Sequence, residues 1–257
     1  MTIENNRPIR ISIVSYLNSK PFIYGLKKAS FQFAPVIEED IPSICAQKLI
    51  LKKADIGLVP VAVLPEIINH TIISDYCIGA DGNVNSVLLV SEVPLHEIKT
   101  VLLDYQSRTS INLARVLAMH FWKINPEWLP TSENYESQIK GSQAGVIIGD
   151  RALSMKENFR YAYDLSAEWK KFTNLPFVFA CWVSNSPIET SFINEFNQAL
   201  KYGLKHIDSV AEEESSGLFS REKIKEYLTK SINYSLDNKK REALKLFLEK
   251  SKTLSIK

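Results

Sequence analysis

Arg10-Ile11-Ser12-Ile13-Val14-Ser15-Tyr16-Leu17-Asn18-Ser19-Lys20-Pro21 decides how this chain is to be read. Ile9, Ile11 and Ile13 alternate as the residues of a strand do. That strand runs directly into Ser15, Tyr16 and Asn18, and a helical segment follows over residues 20–28. Hydroxyls and an amide are thereby placed at the carboxyl end of a first strand, beside a helix amino terminus. In open α/β sheets that crevice is where ligands sit. Helix amino termini offer free N–H groups and partial positive charge, so the ligand expected there is an anion.

Working outward, strand and helix signals alternate along the chain, which is the α/β pattern. Phe31–Ile37 predicts the second strand. Pro42 opens a helix through Leu51, Asp55–Pro60 is a short buried strand, and Pro60–Ile68 predicts a helix, since proline suits a first turn. Thr71–Ile78, Ser86–Ser91, Val101–Asp104 and Ala144–Asp150 read as strands, and Thr109–Trp122 as a helix introduced by Ser107 and Arg108. Arg151–Met155 starts another helix. Leu175–Val183 is a long apolar strand, and from Pro187 onward apolar residues recur every three or four positions. Asp237 is placed to cap a last amphipathic helix. Ser86–Ser91 and Phe177–Val183 flank a self-contained α/β block. If both cross between lobes, residues 1–87 and 179–257 form one discontinuous lobe, and residues 88–178 form an inserted second lobe. A cleft between lobes is a favoured ligand site.

Composition removes several function classes. Among 257 residues, 45% are apolar and 23% charged, the balance of an ordinary globular protein. Net charge is only +2, and Lys/Arg interleave with Asp/Glu, so no concentrated basic face marks a nucleic-acid partner. Cys45, Cys77 and Cys181 are far apart and lack metal or disulfide spacing. His70, His96, His120 and His206 lack ligand spacing too, and no metal site is expected. The polar opening, Met-Thr-Ile-Glu-Asn-Asn-Arg-Pro, has no apolar signal core, and no run approaches membrane-spanning length. These features predict a reduced, cytoplasmic location without a membrane partner.

Six segments occur in order: Ser15-Tyr-Leu-Asn18-Ser-Lys-Pro21, Asp55-Ile-Gly-Leu-Val-Pro60, Asn85-Ser86-Val-Leu-Leu-Val-Ser91, Ser107-Arg-Thr-Ser110, Ile148-Gly-Asp150 and Asp164-Leu-x-x-Glu168-Trp169-x-x-x-Thr173-x-Leu175-Pro176-Phe177. Together they resemble the chorismate dehydratase family of the futalosine route to menaquinone. The resemblance extends from Arg10 to about Val183, and more loosely into the helical tail. It implies a two-lobed type 2 periplasmic-binding-protein fold with a central cleft, and catalysis without metal or organic cofactor. The sister 1,4-dihydroxy-6-naphthoate synthase family shares the fold but opens with a Pro-Asn-Asp-Thr-Phe type of segment. Ser15-Tyr16-Leu17-Asn18 favours the dehydratase. Ser19 departs slightly from the family, where threonine is common, and keeps the hydroxyl.

The implied reaction removes water from chorismate, a dicarboxylate, to give 3-[(1-carboxyvinyl)oxy]benzoate. Aromatisation supplies much of the driving force, so the protein must orient the substrate, hold two anions and assist a leaving hydroxyl. Asn18 and Ser86 are the catalytic candidates. An amide donates to a leaving oxygen with no pKa requirement. Ser15, Tyr16, Ser19, Ser107, Arg108, Thr109, Ser110, Gly149 and Asp150 are the substrate-binding candidates, with Arg108 able to pair bidentately with a carboxylate. Each has a plainer alternative. Asn18 could cap the helix behind it, and one of Ser107, Thr109 and Ser110 should cap the next. Ser86 could bond backbone, Tyr16 could pack beneath the cleft, Arg108 could face solvent and Asp150 could open a helix. No side chain stands out as general base, since Lys20 and Asp150 are weak choices, which leaves a carboxylate of the substrate itself. A non-catalytic binding protein of the same fold is the competing function. A LysR-type effector domain is disfavoured, because no basic helix-turn-helix precedes the first strand.

Overall fold

The structure is a computed structural model that describes residues 7–215 and 217–256, so the absence of a signal core, read on the opening residues, falls mainly outside it. Two sheets divide the chain, one of six strands and one of five.

β1 (Arg10–Val14) is buried along most of its length, with Ile11 and Ile13 in the core, and leads through a 3₁₀ turn, Leu17–Ser19, into α1 (Lys20–Lys28). β2 is Val36–Asp40 rather than the expected Phe31–Ile37. Pro35 has no N–H to donate and disfavours ladder pairing on its own side, so the strand starts just after it, with Val36 N–H donating to Ile9 O at 2.9 Å. Phe31 instead stacks on Phe192, and Phe33 is exposed. β2 is an edge strand, and its acidic residues are matched by lysines: Lys27 meets Glu39, and Lys48 meets Glu38 and Asp40. Charge of this kind on an edge discourages strand addition.

α2 (Pro42–Ile50) and β3 (Ile56–Pro60) follow as expected. The helix expected over Pro60–Ile68 is only a 3₁₀ turn, Val61–Glu66. Pro65 lies inside it, and a mid-helix proline removes an N–H and clashes with the preceding turn. β4 (Thr71–Ala80) completes this part of the first sheet, and the chain then passes to the second.

β5 (Val87–Ser91), β6 (Thr100–Leu103), β7 (Glu127–Pro130), β8 (Gln143–Ile148) and β9 (Tyr161–Asp164) form the second sheet, in the order β7-β6-β8-β5-β9. α3 (Arg108–Leu117) covers it and continues into a π turn, Ala118–Trp122. α4 (Gly149–Met155) and α5 (Leu165–Thr173) complete this lobe, and β10 (Phe177–Ser184) returns the chain to the first sheet. Val87 pairs with Ile148, while Phe177 and Val178 pair with Ala80 and Gly79. Neither long strand therefore bridges the sheets. The chain passes between the sheets at the short stretches 81–86 and 174–176.

The tail packs back on the first lobe as α6 (Thr190–Lys205), α7 (Ile207–Glu214), α8 (Arg221–Glu226), a π turn at Tyr227–Ser231, β11 (Asn233–Ser235) and α9 (Asn238–Lys252). β11 closes the first sheet, whose order is β11-β4-β10-β3-β1-β2. Asp237 caps α9, its carboxylate accepting Lys240 N–H at 2.9 Å. One apolar cluster runs through both lobes, from Ile11 and Trp182 to Leu113 and Trp169. The three cysteines are free and buried. Among the described residues no helix is long and apolar enough to cross a membrane.

Candidate active site

Between the two sheets lies a partly open cavity. Val14, Leu58, Ile78 and Phe179 give it an apolar wall. Its polar lining comes from Tyr16, Asn18, Ser19, Ser86, Ser107 and Ser110, and Gly149 also borders it. These residues belong to the 15–19 turn after β1, the crossing before β5, the α3 start and the α4 start.

The 15–19 turn is held from several sides. Ser15 N–H donates to Asp40 O at 2.9 Å and Leu17 N–H to Asp150 Oδ1 at 3.3 Å. Neither the 3₁₀ turn nor α1 has a side-chain cap. Asn18 is thus not spent on a helix terminus. Its Oδ1 accepts the Ser19 hydroxyl at 3.0 Å, and its backbone carbonyl accepts from Tyr234 Oη at 3.0 Å. Tyr16 reaches across the cavity and its hydroxyl donates to Gln106 Oε1. Burial raises the Tyr16 phenol well above its ordinary value, so it stays protonated. The Tyr16 ring lies against Gly149, whose φ is +62°. A Cβ there would meet that ring at 3.3 Å, and the left-handed backbone favours glycine independently.

Ser86 is 1% exposed and sits at the end of the crossing. Its carbonyl accepts Gly149 N–H at 2.8 Å, and its hydroxyl accepts from Tyr227 Oη at 2.7 Å. Ser107 does cap α3, its hydroxyl accepting Ser110 N–H at 3.3 Å. Thr109 faces the other lobe, where its hydroxyl accepts Ala62 N–H at 3.1 Å.

Arg108 is not brought to the cavity. Its guanidinium pairs with Glu66 at the surface, at 2.8 and 2.5 Å. On α3 the buried residues are Thr109, Ser110, Leu113, Ala114, Val116 and Leu117, and the helical period turns Arg108 outward with Arg115. Asp150 and Ser15 do not border the cavity either; they brace the turn that carries Asn18. Burial raises the Asp150 carboxyl above its ordinary value, with the Leu17 N–H and Lys20 pulling against it. No lysine or arginine lines the cavity among the described residues. An anion there would be met by hydroxyls, the Asn18 amide and helix N–H groups.

A family model described as menaquinone biosynthesis matches residues 9–253. The chain belongs to that family. For this menaquinone biosynthesis family member, one curated relative is a chorismate dehydratase of Thermus thermophilus, 24% identical over 268 residues that cover 95% of each chain. A crystal structure of a protein from Archaeoglobus fulgidus superposes with a TM-score of 0.79 at 13% identity, covering 98% of this chain and 100% of the other. A Candida albicans protein, described as having the generic periplasmic binding protein fold, gives 0.64 at 15% identity, with 98% and 91% covered. The fold of this family member is therefore periplasmic-binding-protein-like.

Three parts of the site escape sequence reasoning. Gln106 holds Tyr16 from the opposite lobe. Behind it, Arg151 joins Asp104 and Glu136, with Tyr135 donating to buried Asp104 at 3.0 Å. Tyr227 and Tyr234 rise from the tail to reach Ser86 and Asn18. No local pattern signals these contacts, since each partner lies 15 or more positions away.

Proposed function

We propose that this protein is a chorismate dehydratase, a hydro-lyase that converts chorismate to 3-[(1-carboxyvinyl)oxy]benzoate. Family membership and the Thermus relative support that substrate, and Ser15-Tyr16-Leu17-Asn18 supports the dehydratase over the sister synthase. The observation that carries the proposal is the meeting of Asn18, which caps no helix, with Ser86 in one cleft.

The chemistry needs two things from such a cleft. The ring carbon bearing the ether loses a proton, and its electron pair becomes the new ring double bond. The neighbouring carbon–oxygen bond breaks, and the departing hydroxide takes up one proton, so the products are the aromatic ether and water. Neutral donors from Asn18 and Ser86 stabilise the departing oxygen as its charge grows. No lysine or carboxylate lines the cavity among the described residues, which favours a substrate carboxylate as proton acceptor. The Tyr16–Gln106 contact between lobes suits a cleft that closes over its ligand and sheds water.

Incubation of the protein with chorismate tests this. The diene absorbance disappears and the aromatic ether accumulates. Binding without turnover would instead favour a non-catalytic binding protein. Turnover of the sister enzyme's futalosine-derived cyclic substrate, with none of chorismate, would favour the synthase.

A further inference from the structure

Tyr227 is a buried hydroxyl at the site to which the reaction above gives no role. It stands in the π turn after α8, 5% exposed, in a tail whose sequence reads as ordinary helix. A phenol is a stronger acid than an aliphatic alcohol, so in the 2.7 Å contact Tyr227 donates and Ser86 Oγ accepts. Ser86 then retains its own O–H. Among the described residues no protein acceptor takes that proton, and Ser86 borders the cavity. Asn18 has its side-chain oxygen occupied by Ser19, and its side chain also adjoins the Tyr227 hydroxyl. One phenol thus touches both catalytic candidates, which come from different parts of the chain.

We propose that Tyr227 is a positioning residue that fixes the Ser86 hydroxyl as a hydrogen-bond donor into the cavity, aimed at the hydroxyl that leaves the substrate. The inference rests on the dehydratase assignment above and deepens it. Without Tyr227 the Ser86 hydroxyl has two acceptor lone pairs and one proton free to rotate. With it, one lone pair is filled, and the remaining proton points where an acceptor exists only when substrate is bound. Donation from Tyr227 also polarises the Ser86 O–H, as in other hydrogen-bond chains. Burial raises the Tyr227 phenol, so it remains a donor throughout the neutral pH range.

Tyr227→Phe removes the hydroxyl and keeps the ring. Steady-state kinetics on chorismate should show kcat reduced roughly tenfold or more, a smaller loss than the ~10²–10³ of deleting a direct donor. KM should stay within about twofold, since the lost interaction matters only as the carbon–oxygen bond breaks. In a Ser86→Ala background the same change should cost nothing further, because Tyr227 acts through Ser86. Wild-type kcat in folded Tyr227→Phe, or an equal loss in the Ser86→Ala background, would overturn the proposal. If Tyr227→Phe does not fold, 3-fluorotyrosine at this position keeps ring and hydroxyl with a more acidic phenol. An increased kcat then supports the relay, and an unchanged kcat overturns it. Wild-type protein that leaves chorismate intact overturns the substrate assignment itself, a result separate from turnover that ignores Tyr227.

Discussion

The turn at Ser15–Ser19 and the turn at Ser107–Ser110 read alike in sequence. Each follows a buried strand, each is rich in small polar side chains, and each opens a helix. In the structure they spend those side chains differently. Ser107 caps α3 and is partly consumed by its own helix. The first turn leaves α1 without a side-chain cap and keeps Asn18 for the cavity. Its backbone is secured from outside instead, by Asp40, Asp150 and Tyr234. A polar turn becomes available for chemistry when other parts of the fold take over the work of holding its helix.

Asn18→Ala gives this contrast its hardest test. Turnover should fall by about 10²–10³, as for loss of a preorganised donor, while stability falls by only about 1–3 kcal/mol, from the buried Ser19 hydroxyl that loses its partner and not from a lost cap. Kinetics and thermal unfolding measured on the same preparation separate the two. A large fall in melting temperature with normal turnover of the folded fraction would mean that Asn18 serves α1 after all. Ser107→Ala should show the opposite balance. Loss of the α3 cap costs about 1 kcal/mol, and turnover should drop by less than about tenfold, since Ser110 stays in place. A larger catalytic than structural effect would erase the distinction between the turns.

Asp150→Asn probes the brace rather than the turn. Burial raises the Asp150 carboxyl in the folded protein, against the pull of Leu17 N–H and Lys20. A raised carboxylate pKa means that this group favours folding most at low pH, and that the benefit is lost as pH rises through the folded value. The substituted amide would still accept from Leu17 N–H and would carry no charge. The melting temperature of the variant should therefore gain on wild type as pH rises above about 4, the ordinary aspartate pKa. A gap that narrows over that range would show that the carboxylate is stabilised by its partners.

Much of this was legible from the residues. The alternating isoleucines of β1, the apolar runs of β5 and β10 and the proline-led α2 are local signals that tertiary packing did not override. Tyr16, Asn18, Ser86, Ser107, Ser110 and Gly149 all reach the cavity, because each stands at a strand end or helix start. Pro35 displaced β2, and Pro65 shortened a helix to one 3₁₀ segment; both are effects of a missing N–H. Tyr227 was not legible. Its apolar body fits a core pattern, and its hydroxyl acquires meaning only from Ser86, 141 positions away. Asp104 and Arg151 are likewise joined only by the fold.

Arg108 is the instructive remainder, and its replacement should have the smallest effect. By residue type it suits a dicarboxylate, since arginine grips carboxylates through two parallel hydrogen bonds. By helical phase it cannot reach the cleft as folded here, because Thr109, Ser110 and Leu113 occupy the inward face of α3. Its pairing with Glu66 is about half exposed on both sides, and such pairs contribute ~0–1 kcal/mol. Arg108→Ala should leave kcat and KM for chorismate within about twofold, with a stability change of at most ~0.5 kcal/mol. A large rise in KM would require the guanidinium to leave Glu66 and turn inward when the lobes close, so that α3 supplies a charge as well as hydroxyls. A flat response would leave recognition of both carboxylates to neutral donors. The α3 turn would then bind through its backbone N–H groups and the Ser107 and Ser110 hydroxyls, and its arginine would tie it to the 61–66 turn.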